Sequence, residues 1–104
     1  MPVYKAPLEN MRFVLNDVLN AGQLSNLPGY EQATSDLMDS ILEEGAKVCE
    51  EVLFPLNQSG DEEGCHFDNG KVITPKGFKE AYATYTQGGW TALSADPNYG
   101  GMGM

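Results

Sequence analysis

DLMDSILEEGAKVCEEVLFPLNQ, residues 36–58, is the longest amphipathic run in the chain and sets its fold. Met38, Ile41, Leu42, Cys49, Val52, Leu53 and Leu56 recur at the three- and four-residue spacing of one helical face. The acidic pairs Glu43-Glu44 and Glu50-Glu51 fall where that helix would meet water. Thr34 or Ser35 is the candidate N-cap, and Asp36 and Asp39 suit the positive end of the helix dipole. Gly45 lies on the apolar stripe, at a cost of about 1 kcal/mol relative to Ala. The notch it leaves predicts close approach by another helix or by bulk from a neighbour. Pro55 removes a backbone donor, a loss of about 3 kcal/mol in a helix interior, and predicts a kink followed by one further turn.

Outward from this run, apolar residues at Met11, Val14, Leu15, Val18 and Leu19 predict a helix over about 8–20. Pro7 fits its first turn and Gly22 its C-terminal stop. Pro28-Gly29 marks a turn between the two helical patterns. After Leu56, NQSGDEEG reads as a polar break. Asn69-Gly70, between short apolar-bearing arms, predicts a small hairpin near 65–73. Thr74 as cap, Pro75 at the first helical position and Gly88 or Gly89 at the end predict a third helix over about 75–87. Phe78, Ala81, Tyr82 and Tyr85 form its apolar face. The fold class is therefore mainly α, three amphipathic helices and one hairpin.

The totals restrict the function. A chain of 104 residues is one domain long and buries roughly 65% of its unfolded surface. Fifteen acids against six bases give a net charge of −9, which repels phosphate backbones and anionic lipid, so no nucleic-acid partner is expected, and with no uncharged run long enough to cross a bilayer no membrane span is expected either. The acid excess itself serves solubility. The N-terminal residues lack the pattern of a secretory signal, which points to an intracellular, cytoplasmic setting. Two cysteines without C-x-x-C spacing suggest neither a structural disulfide nor a zinc site. Cys49 falls on the helical stripe. Cys65, His66 and Asp68 could be drawn as a metal cluster, but neighbours in an extended segment point to opposite sides. His66 is the sole histidine, so no second one exists to join it.

The glycines of GGMG, residues 100–103, invite comparison with a phosphate loop. Such a loop follows a strand and opens a helix, and neither pattern is present. The paired carboxylates are neighbours on a solvent face, where nothing raises a pKa for acid–base work. No catalytic, cofactor-binding or metal-ligating residue is assigned from the sequence.

The stretch GGWTALSADPNYGGMGM, residues 88–104, resembles the segment of flavin-dependent acyl-CoA dehydrogenases in which a helix ends and a Gly-Trp step leads to Tyr-Gly-Gly-x-Gly. Gly89, Trp90, Leu93, Asp96, Pro97, Tyr99, Gly100, Gly101 and Gly103 carry the match. YKAPLENMRFVLNDVL, LPGYEQAT, ILEEGAKVCEEVLFPLNQSGDEEGC and TPKGFKEAY are similar, in the same order, to the larger bacterial subgroup that includes methylthiopropionyl-CoA dehydrogenase. The resemblance implies an N-terminal extension over 1–30 and the start of an α-helical domain over 31–104. It further implies a parent enzyme that uses FAD for α,β-dehydrogenation of acyl-CoA thioesters in fatty acid metabolism. The flavin contacts, the catalytic carboxylate and the determinants of acyl chain length would lie beyond Met104. On this basis the chain is expected to be the opening piece of an oxidoreductase, inactive alone. Its partners would be the remaining domains and further copies of itself, with acyl-CoA bound only by the intact enzyme. Tyr99-Gly100-Gly101 is expected to be a tight turn using positive φ at glycine. A free-standing, non-catalytic helical interaction or oligomerisation module, its tail pinned to its core, is the alternative.

Overall fold

The fold is built on one long helix, seen here in a computed structural model that describes residues 3–104. Residues 1 and 2 of the expected 1–30 extension lie outside the described residues. The Thr34 hydroxyl accepts the Leu37 N–H at 3.2 Å and starts α2 (Ser35–Lys47). The helix then widens into a π segment (Val48–Leu53) and continues as α3 (Pro55–Glu63). Phe54 N–H reaches back five residues to the Cys49 carbonyl at 2.8 Å, and Asn57 N–H takes the Phe54 carbonyl at 3.0 Å. This change of register straddles Pro55, which has no N–H to give, and lets the helix resume instead of ending. The expected stop near residue 58 is therefore wrong. Residues 57–63, expected to be a polar break, are helical, with Gln58 bonded to Glu62 at 2.9 Å on the wet side, and Gly64 ends the helix at φ 69°.

The first helix also differs in detail. α1 (Leu8–Arg12) runs into a second π segment (Phe13–Val18), with Pro7 at the N-cap position just before it. Asn20, left-handed at φ 48°, makes the stop expected of Gly22. Gly22 instead sits in a 3₁₀ stretch (Ala21–Asn26), where a Cβ would meet the Ser35 hydroxyl at 2.9 Å. Pro28-Gly29 forms the expected turn, closed by Tyr30 N–H on the Leu27 carbonyl at 3.0 Å with Gly29 at φ 89°.

The hairpin is present, β1 (His66–Asp68) against β2 (Lys71–Ile73), antiparallel with Phe67 opposite Val72. Asn69 and Gly70 both have positive φ, which matches the right-handed twist of the arms. The helix expected from residue 75 starts three residues later, as α4 (Phe78–Gln87), after Gly77 at φ 90°. Thr74 caps nothing there. Pro75 is buried, and the Lys76 N–H is taken by the Glu63 carboxylate at 2.9 Å, so 74–77 is a loop tied to the end of α3. Gly88 and Gly89 end α4 as expected.

α4 packs on the π segment of the central helix. The chain then turns through two 3₁₀ stretches, Trp90–Ala92 and Pro97–Tyr99. The Trp90 ring packs over Gly45: its Cη2 and Cζ3 lie 3.4 and 3.5 Å from where a Gly45 Cβ would stand. Among the described residues the buried core is four alanines, Ala21, Ala33, Ala46 and Ala81, joined by Gly60 and Pro75, and no large side chain is fully enclosed. The molecule is a slab of 55 × 36 × 16 Å with a radius of gyration of 17.5 Å. A compact chain of this length would have about 13 Å.

Candidate functional site

Two apolar grooves border α4. The first, about 450 Å³, lies between α2 and the tail and is walled by Ile41, Val48, Trp90, Leu93 and Met102, with Ser40, Glu44, Thr84 and Gly88 at its edges. The second, about 350 Å³, is walled by Leu53, Leu56, Phe78, Ala81, Tyr82 and Tyr85, with the Asn57 amide beside them. Neither lining includes a Lys or Arg. Their chemistry is that of packing surface: apolar area with few polar groups at the margin.

The tail that borders the first groove is internally closed. Gly101 N–H bonds the Asp96 carbonyl, Met102 N–H that of Ala92, Gly103 N–H that of Ala95 and Met104 N–H that of Leu93, at 2.9–3.0 Å. Gly100 N–H bonds Pro97 at 3.2 Å. Every amide from 100 to 104 is committed within the tail, so none is free to cradle a phosphate. Gly100 takes positive φ (87°) as the tight turn requires. Gly101 is needed for another reason, since a Cβ there would run into the Ala95 backbone.

The charged groups form links on the surface. Arg12 pairs through Nε with Asp39 and through Nη2 with Glu43 at 2.8 Å. The hydrogen bond to Asp39, with the charges of both acids, holds the guanidinium's pKa above its ordinary value. Glu44 engages Lys47 at 2.6 Å and raises the ammonium's pKa in the same way. Glu31 is held below the usual carboxylate range by backbone N–H groups, its own and that of Gly29 at 3.1 Å. Glu43 and Glu44 thus have structural partners and line no enclosed acid–base site.

Cys65 is exposed and precedes β1; Cys49 is half-buried in the central helix. His66 pairs in register with Ile73, at the far end of the hairpin from Asp68. Among the described residues no three His, Cys, Asp or Glu side chains gather as a metal site. No helix there is long and apolar enough to cross a membrane. The grooves were missed by the sequence reading, although Tyr82 and Tyr85 on one helical face and the Gly45 notch both signalled where α4 and the tail would leave apolar walls.

No family-level profile matches the chain. It is 35% identical over 101 residues to 3-methylmercaptopropionyl-CoA dehydrogenase of Ruegeria pomeroyi, covering 97% of this chain and 17% of that protein. It is 33% identical over 90 residues to butyryl-CoA dehydrogenase of Syntrophomonas wolfei, covering 83% of this chain and 15% of that one. The chain therefore spans about a sixth of the length of the curated relatives it matches. With its mainly α architecture and small hairpin, it is similar to acyl-CoA dehydrogenases over a segment consistent with the N-terminal region of such an enzyme.

Proposed function

We propose that the chain is a packing segment of an FAD-dependent acyl-CoA dehydrogenase, contributing walls and support but no reacting group. The observation that carries this is surface. The accessible area is 7828 Å², whereas a compact protein of 11.3 kDa exposes about 5,700 Å². The excess, about 2,100 Å², exceeds what one partner of a standard interface buries, about 800 Å². Much of it is apolar, including Phe13, Val18, Leu19, Tyr82 and Met102. Such area is normally covered by other protein.

The residues present do not fit a flavin. Its pyrophosphate needs cations or free backbone amides; neither groove lining includes a Lys or Arg, and the amides of 100–104 are committed within the tail. In the parent enzyme the flavin and the carboxylate that removes the substrate α-proton would accordingly reside in other segments, and acyl-CoA would bind only the whole. Residues 1–30 then form an extension and 31–104 the start of the helical domain, in a cytoplasmic, self-associating enzyme. A second reading has one observation in its favour: the tail is pinned, with Trp90 seated on Gly45, as a free-standing interaction module would require.

An antibody raised against this chain separates the two. A native product several times larger than 11.3 kDa supports the enzyme segment. A product at 11.3 kDa overturns it in favour of the module.

A further inference from the structure

The segment before Asn20 is joined to the rest of the molecule in an unusual way. None of residues 8–18 is buried, and only Leu8, Arg12 and Leu15 are even half-buried. Leu15 closes on Met38 and Leu42 across a crevice of about 10 Å³, at the limit for one water. The other tertiary links are largely polar. Three acids along the central helix face the segment. Asp39 and Glu43 hold Arg12, while Glu50 accepts the Ala6 N–H at 2.8 Å and faces Lys5 Nζ at 3.6 Å. Tyr4 adds a tilted ring contact with Phe54, centroids 6.4 Å apart.

We propose that residues 3–19 are a strap latched to the central helix by charge, which swings out about Asn20 as ionic strength rises. The pivot is built into the chain. Asn20 is left-handed, and the next residues are fixed: Ala21 is buried and Gly22 abuts the Ser35 hydroxyl. Exposed ion pairs are weak and screened by salt, so a latch made of them opens where a buried helix would not. Opening uncovers Leu8, Leu15, Met38 and Leu42, beside the already exposed Val14 and Val18. The strap stands on these contacts alone and is independent of the acyl-CoA dehydrogenase reading.

A detached helix of this length does not persist in water, so release appears as amide exchange. Hydrogen exchange of the whole chain is followed by mass spectrometry from about 0.01 M to about 1 M NaCl, where the screening length falls from about 30 to about 3 Å. Exchange in residues 11–19 should accelerate about three- to tenfold while residues 39–47 of α2 hold their rate. Arg12→Met, which keeps an unbranched stem and removes the charge, should exchange rapidly at low salt and lose the salt dependence. Salt-independent exchange of the strap in the unaltered chain overturns the proposal. So does acceleration of strap and α2 together, or an Arg12→Met variant with unaltered rates.

Discussion

Trp90 and Gly45 show how a single contact ties the tail to the central helix. The indole lies on the central helix over Gly45 and fixes the start of the tail. The contact is ordinary van der Waals distance, so Gly45→Ala should be tolerated. Its gain in helix propensity should raise stability by up to about 1 kcal/mol, read from the urea midpoint. Gly101→Ala should do the opposite. Its new methyl would meet the Ala95 backbone, which has no rotamer to turn aside, and the loss should be about 2–3 kcal/mol. Equal midpoints for the two variants would show that the tail does not hold this turn. The Gly45 notch was legible in the sequence because a glycine on an apolar stripe is unexpected; the need at Gly101 was not. Its constraint comes from a carbonyl six residues back, and only the folded tail brings the two together.

At the scale of elements, caps and turns with local causes could be read directly. Thr34 accepts the Leu37 N–H as expected, so Thr34→Ala should cost about 1 kcal/mol. The Asn69-Gly70 hairpin and the Gly88-Gly89 stop were likewise legible, because each depends on residues within a few positions. The central helix was not fully legible. Its extension through Pro55 relies on a π segment that changes the hydrogen-bond register, and composition alone carries no sign of that. Residues 57–63 look like a break because they are polar, yet they are the wet end of a helix whose inner side receives Phe78 at Gly60. The start of α4 was misplaced for a related reason. Thr74-Pro75 has the form of a cap, but Glu63 takes the Lys76 N–H and holds 74–77 as a loop. Acid should loosen the turn at 27–30. The Glu31 carboxylate is stabilised in the folded state, so its contribution is complete above its unfolded pKa. It is lost as pH falls through the lower, folded pKa. Amide shifts of Gly29 and Tyr30 should therefore titrate below the usual glutamate range, and a midpoint within or above that range would refute the contact.

The whole molecule is a thin slab in which, among the described residues, the buried positions are alanines with Gly60 and Pro75, while the large apolar side chains stay half-covered or exposed. The sequence made the individual stripes visible, but not that each would find too little of this chain to bury against. Periodicity reports which face is apolar and not what covers it. The similarity to a sixth of two acyl-CoA dehydrogenases agrees with that geometry, since a segment of a larger enzyme leaves its helix faces for other segments. On the function proposed above, the grooves on either side of α4 are interior walls to be covered by neighbouring segments. Sedimentation equilibrium of the isolated chain over a concentration series tests this most directly. If these faces are built to be covered, the apparent mass should exceed 11.3 kDa and rise with concentration. A chain that stays at 11.3 kDa throughout, with a radius of gyration near the about 13 Å of a compact protein, would contradict it.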